Sequence, residues 1–164
     1  MLTVLVLCTG NSARSILGEA LFNRLGTGRV RAFSAGSQPK GAPHPAALRL
    51  LESKGVDTSG FRSKSWLEYT EEGAPPIDVA ITVCGNAAGE TCPVFRGAPL
   101  RAHWGLPDPA DETGSDAAQD AAFARTWDLL SARIEAMLAL QFESMQPEDF
   151  SAALQRIGQM EGAA

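Results

Sequence analysis

The sequence predicts an α/β protein: a single domain built on a parallel sheet, with helices on both of its faces. Three observations carry this. Short runs rich in apolar residues alternate along the chain with segments of helical apolar spacing. Each run ends in a polar or glycine-containing turn. The 164 residues, 45% apolar and 20% charged, are enough for one core and too few for two large ones.

The elements follow in order. Thr3 to Leu7 is a leucine and valine run without charge, the pattern of a strand buried on both faces, and it ends at Cys8-Thr9-Gly10-Asn11-Ser12. From Ala13 the apolar positions become Ile16, Leu17, Ala20, Leu21 and Leu25, which is helical spacing, with Gly26 as the stop. Val30 to Phe33 is a second strand, leading into Ser34-Ala35-Gly36. A helix from Pro45 to Lys54 follows, with proline in its first turn and Gly55 past its end. Ile77 to Val83 is a third strand, closed by Cys84-Gly85-Asn86, and Leu100 to Trp104 is a fourth candidate, running into Gly105-Leu106-Pro107-Asp108-Pro109. Ala117 to Phe142 sets Phe123, Trp127, Leu130, Ile134, Met137 and Leu138 on one helical stripe. A short helix with Phe150, Leu154 and Ile157 on one side completes a C-terminal extension over 143–164, beyond a main domain of 1–142.

Composition narrows the function. Fourteen Lys and Arg against 19 Asp and Glu give a net charge of −5, which argues against a nucleic-acid partner. No apolar run approaches the roughly 18 residues of a membrane span. The N-terminal MLTVLVLC reads as a strand rather than a secretory signal. With three cysteines, an odd number, the expectation is a reducing cytoplasm, where a disulfide would be transient and chemical. Seven residues separate Cys84 from Cys92, and His44 and His103 are the only histidines, so no metal site is expected. Each histidine reads as a capping or packing residue.

In a parallel α/β sheet, ligands sit beyond the carboxyl ends of the strands. Cys8, Cys84 and Asp108 all follow strand ends and should share one rim. Cys8 to Ser15 spans Cys-x5-Arg-Ser between a strand and a helix start, so backbone N–H groups of Thr9, Gly10, Asn11, Ser12, Ala13 and Arg14 can face one oxyanion, aided by the helix dipole. Gly10 is expected to permit the chain reversal. Arg14 offers a planar fork to two oxygens. The same donors would ionise Cys8, whose ordinary pKa of about 8.5 leaves only a few per cent thiolate at neutral pH. Asp108, between two prolines, is stiffly placed to protonate a departing oxygen.

On Cys8-Thr9-Gly10-Asn11-Ser12-Ala13-Arg14-Ser15, Phe33-Ser34-Ala35-Gly36 and Asp108-Pro109, the chain resembles the low-molecular-weight protein tyrosine phosphatase superfamily. Within it, the resemblance is to the arsenate reductases recycled by thioredoxin, over residues 2 to about 140. It implies a four-stranded parallel sheet, Cys8 as nucleophile, Arg14 as oxyanion clamp, Ser15 as a donor to the thiolate, Asp108 as general acid, and Asn11 holding the loop through Ser34. Cys84 would attack a Cys8–arsenate adduct, reducing arsenic and leaving a disulfide that Cys92 moves outward. No cofactor is implied beyond an external thiol reductant: thioredoxin, with glutaredoxin and glutathione, or mycothiol, as alternatives. Phosphate or sulfate would compete with arsenate for the loop, and the protein would be a monomer. A phosphatase, or a noncatalytic oxyanion or redox sensor, would use the same loop. Ala110 after Asp108-Pro109 supplies no aromatic slot for a phosphotyrosine ring. Some thioredoxin-coupled members look as if they hold potassium near positions matching Asn11, Glu19 and Ser34. Here Lys64 falls where a further acid would be, so its ammonium is expected to pair with Glu19 in place of the ion.

Overall fold

The computed structural model describes residues 1–85, 93–97 and 99–163. Four strands, β1 (Leu2–Cys8), β2 (Val30–Gly36), β3 (Val79–Thr82) and β4 (Leu100–His103), form one sheet in the order β2-β1-β3-β4, every pair parallel. Helices α1 (Arg14–Leu25), α2 (Pro45–Ser53), α3 (Asp116–Leu138) and α4 (Pro147–Ile157) pack against it, all four burying residues in the same core.

The uncharged first strand is explained by burial on both sides. Val4, Val6 and Cys8 enter a large core with the buried faces of all four helices, whereas Leu5 and Leu7 enter a smaller one with Ala80. Among the described residues, that second face is covered by the single 3-10 turn Trp66–Tyr69 and by Phe95.

Several boundaries differ from the sequence pattern, each for a local reason. β2 continues past Phe33 to Gly36 because β1 pairs with it along its full length, and the hydroxyl of the fully buried Ser34 finds partners. β3 is shorter than its apolar run, although Ile77 and Val83 remain buried and bond through N–H to Arg96 and Leu7 carbonyls. α3 is capped by the Ser115 hydroxyl and stops at Leu138, leaving Phe142 to start a separate 3-10 turn. Gly26 closes α1 with φ −96°; glycine is required there for space, since a Cβ would stand 2.7 Å from the Phe22 carbonyl and 2.8 Å from Val30 Cβ. α4 lies on the edge strand: Gln155 Nε2 donates to the Arg101 carbonyl, and the buried Trp104 Nε1 donates to Leu154. No described helix is long and apolar enough to cross a membrane.

Candidate functional site

β1 ends at Cys8, α1 starts at Arg14, and the loop between them forms the floor of a cleft of about 390 Å³. Cys8, Thr9, Gly10, Asn11, Ser12, Ala13, Arg14, Cys84 and Asp108 all line it. Three strand ends thus deliver their side chains to one rim, as the topology requires. Helix α1 has no side-chain cap and no acidic residue in its first turn, so its positive end faces the cleft without a competing carboxylate from that turn.

The loop turns at Asn11, which has φ +46°, and not at Gly10 as the sequence suggests. A side chain in the left-handed region is strained, and here hydrogen bonds hold it. Asn11 Nδ2 donates to Ser15 Oγ (2.9 Å) and Ser34 Oγ (3.0 Å), and Asn11 Oδ1 accepts from Lys64 N (2.9 Å). Ser34 in turn donates to Glu19 Oε1 at 2.9 Å, and Lys64 Nζ stands 3.6 Å from the same oxygen. Asn11, Ser15 and Ser34 are fully buried. Gly36 is the steric counterpart: a Cβ there would meet Thr9 O at 2.4 Å.

Arg14 is aimed across the opposite flank. Its Nη1 donates to the Leu106 carbonyl (2.6 Å) and lies 3.5 Å from that of Val83, while Nη2 stands 3.4 Å from Asp108 Oδ2. Its buried Nε has no hydrogen-bond partner among the described residues, leaving a spare donor beside the loop. Asp108 caps the 3-10 turn Pro109–Asp111, its Oδ1 accepting from Ala110 N, so the turn fixes the carboxyl against Arg14.

Cys8 and Cys84 are both buried, unoxidised and hydrogen-bonded to each other. That bond, then burial, pushes the Cys8 thiol up, while Arg14 and the Thr9 N–H pull it down. This corrects the expectation of an independently ionised Cys8. Cys84 and burial together thus outweigh Arg14 and the Thr9 N–H at Cys8. The Thr9 hydroxyl sits 3.6 Å from Cys84 Sγ. Cys92 lies outside the described residues. Among the described residues, no group of three or more His, Cys, Asp or Glu converges as a metal site.

Two residues that the sequence reading missed, Gln38 and Lys40, also line the cleft. They follow the rim end of β2, so the strand-end rule applied to β2 as well would have found them. His44 serves as the α2 cap through Nδ1, and His103 pairs with Thr82 across β3 and β4.

Residues 3–149 match the family described as low molecular weight phosphotyrosine protein phosphatase. An arsenate reductase of Halalkalibacterium halodurans is 33% identical over 129 residues, covering 79% of this chain and 89% of the relative. A solved arsenate reductase in its phosphate-binding state superposes with a TM-score of 0.60 at 26% identity, covering 82% of this chain and 98% of the other. The Corynebacterium glutamicum thioredoxin-dependent arsenate reductase gives 0.59 at 25% identity, over 85% of this chain and 61% of that one. A cysteine at the floor of the loop, an arginine closing it, and relatives that are themselves arsenate reductases agree: the chain belongs to the low molecular weight phosphotyrosine protein phosphatase family.

Proposed function

We propose that the protein reduces arsenate to arsenite through a covalent adduct on Cys8 and a thiol relay recycled by thioredoxin. The observation that carries this is the second buried thiol, Cys84, hydrogen-bonded to Cys8 in the cleft that Arg14 and Asp108 close. A phosphatase needs one thiol and water; a reductase needs a second thiol within reach of the first.

In this reading arsenate settles on the loop amides and the spare donors of Arg14, and the Cys8 thiolate attacks arsenic. Asp108 protonates the departing hydroxyl, while Ser15, held by Asn11, donates to the sulfur. Cys84 then attacks Cys8 Sγ, forming an S–S bond as the S–As bond breaks. The bonding pair stays on arsenic, which leaves as arsenite, reduced by two electrons taken from the two thiols. Cys92 attacks Cys84 to free Cys8, and thioredoxin reduces the resulting disulfide. Asn11, Ser34, Glu19 and Lys64 support the loop, the Lys64 ammonium standing in for a monovalent cation beside Glu19. No resident cofactor takes part, the setting is the reducing cytoplasm, and 143–164 is an extension of the 1–142 catalytic domain. The dependence on thioredoxin is supported by the named dependence of the Corynebacterium relative.

The test is a coupled assay with arsenate, thioredoxin, thioredoxin reductase and NADPH. Sustained NADPH consumption is expected, and Cys92→Ser should release at most about one arsenite per enzyme before stalling as a Cys8–Cys84 disulfide. No turnover together with brisk p-nitrophenyl phosphate hydrolysis would replace this reading with a phosphatase. Turnover supported only by glutaredoxin with glutathione, or by mycothiol, would replace the reductant.

A further inference from the structure

Formal charge on the cleft is sparse. Of its described lining residues, only Arg14, Lys40 and Asp108 have a side chain of the Lys, Arg, Asp or Glu type. Arg14 and Asp108 form an ion pair, so those two sum to zero. Among the described residues, the net formal charge of the lining is therefore that of Lys40. Among the described residues, no carboxylate lies within ion-pair distance of it.

Lys40 is also held in place. The Gln38 N–H donates to the Thr9 carbonyl (2.9 Å) and the Lys40 N–H to the Gly10 carbonyl (3.0 Å), so the segment after β2 runs bonded along the loop. The Lys40 stem then crosses the loop at Gly10: a Cβ on that glycine would meet Lys40 Cε at 3.1 Å, Cγ at 3.2 Å and Cδ at 3.3 Å. Gly10, whose φ lies outside the left-handed region, is thus the notch in which the lysine stem rests, and the ammonium is one bond beyond that Cε.

We propose that Lys40 is a substrate-binding residue that sets the cleft's preference for multiply charged oxyanions, acting on affinity rather than on the chemical step. The proposal deepens the oxyanion reading above and rests on it for the identity of the substrate. An ammonium at a cleft mouth attracts a dianion about twice as strongly as a monoanion and gives a neutral ligand nothing. It cannot reproduce the bidentate grip of Arg14, so the two cations divide the work into attraction and orientation.

The test uses two alkylating agents of near-identical shape, neutral iodoacetamide and anionic iodoacetate, with modification of Cys8 followed by mass spectrometry. At low ionic strength, Lys40→Gln should lower the iodoacetate-to-iodoacetamide rate ratio at Cys8 about fivefold, and Lys40→Arg should preserve it. At about 0.5 M KCl, the wild-type and Lys40→Gln ratios should converge. In arsenate turnover, Lys40→Gln should raise KM by a similar factor of about five and leave kcat within about twofold. An unchanged ratio in Lys40→Gln, or an equal loss in Lys40→Arg, overturns the proposal, the latter by showing that the stem and not the charge matters. Should the ratio behave as expected while no variant, nor the wild type, reduces arsenate, the arsenate reading fails and the assignment of Lys40 as the cleft's attracting charge stands.

Discussion

The two flanks of the Cys8–Arg14 loop are built on opposite terms. On the β2 side, Asn11, Ser15, Ser34, Glu19 and the Lys64 backbone are joined by hydrogen bonds of 2.9 to 3.0 Å, and no buried side-chain donor or acceptor of these residues is left over. On the β3–β4 side, Arg14 has one short bond to Leu106 and looser contacts of 3.4 and 3.5 Å, and its buried Nε is unpartnered. Thr9 and Cys84 stand at 3.6 Å on that side. A satisfied network resists deformation, while spare donors mark where a ligand is to be received. Under the proposed mechanism one flank is scaffold and the other is reagent, and substitutions should separate them by what they change: stability on the first, rate on the second.

The largest effect should come from the reagent flank. Cys8→Ser is expected to abolish arsenate turnover, by about 10⁴-fold or more, with a urea midpoint close to wild type. Loss of folding in that variant would mean that Cys8 is a packing residue first. Arg14→Lys comes next: it keeps the charge and discards the planar fork, so kcat should fall roughly 10²- to 10³-fold. A fall in stability without a fall in rate would erase the distinction between the flanks.

On the scaffold flank the order reverses. Gly36→Ala places a methyl 2.4 Å from the Thr9 carbonyl and 2.9 Å from that of Cys8, so the loop must shift as a body. A loss of about 1–3 kcal/mol by urea denaturation is expected, with activity falling as the loop distorts. Ser34→Ala strands an Asn11 donor and a Glu19 acceptor in the interior and should cost about 1–3 kcal/mol. Its effect on kcat should be smaller than that of Arg14→Lys.

This division also describes what was legible in the sequence. The parallel sheet followed from periodicity, and the convergence of Cys8, Cys84 and Asp108 followed from where strands end, because both are consequences of backbone topology. The turn at Asn11 was not legible. Glycine has the intrinsic preference for positive φ, and only the buried partners Ser15, Ser34 and Lys64 make asparagine the residue that turns. The influence of Cys84 on the Cys8 thiol was hidden for a similar reason, being a property of a pair 76 positions apart in the chain. Lys40 was missed because its role depends on a sum of charges around a cleft, which no local pattern records.

The Lys64–Glu19 pair tests the scaffold most gently, since both groups are nearly buried and each offsets the other. Burial holds the Lys64 ammonium below the ordinary lysine value of 10.5, while Glu19 pulls it back up. Between that lowered value and 10.5, the unfolded chain carries a proton that the folded chain has released, so this group's contribution to stability rises with pH. Lys64→Met removes that rise, and the wild-type advantage over it should grow as pH climbs through the alkaline range below 10.5. The thiol pair and Tyr69, which burial pushes up to about 12, are common to both proteins and cancel in the comparison. Near neutral pH, Lys64→Met should lose about 1 kcal/mol because Glu19 is left without its counter-charge, and adding Glu19→Gln should recover most of it. Strictly additive losses would show that the two do not act as a pair. Arsenate turnover that rose strongly with potassium but not with sodium would show that an ion, and not the Lys64 ammonium, supplies the missing charge.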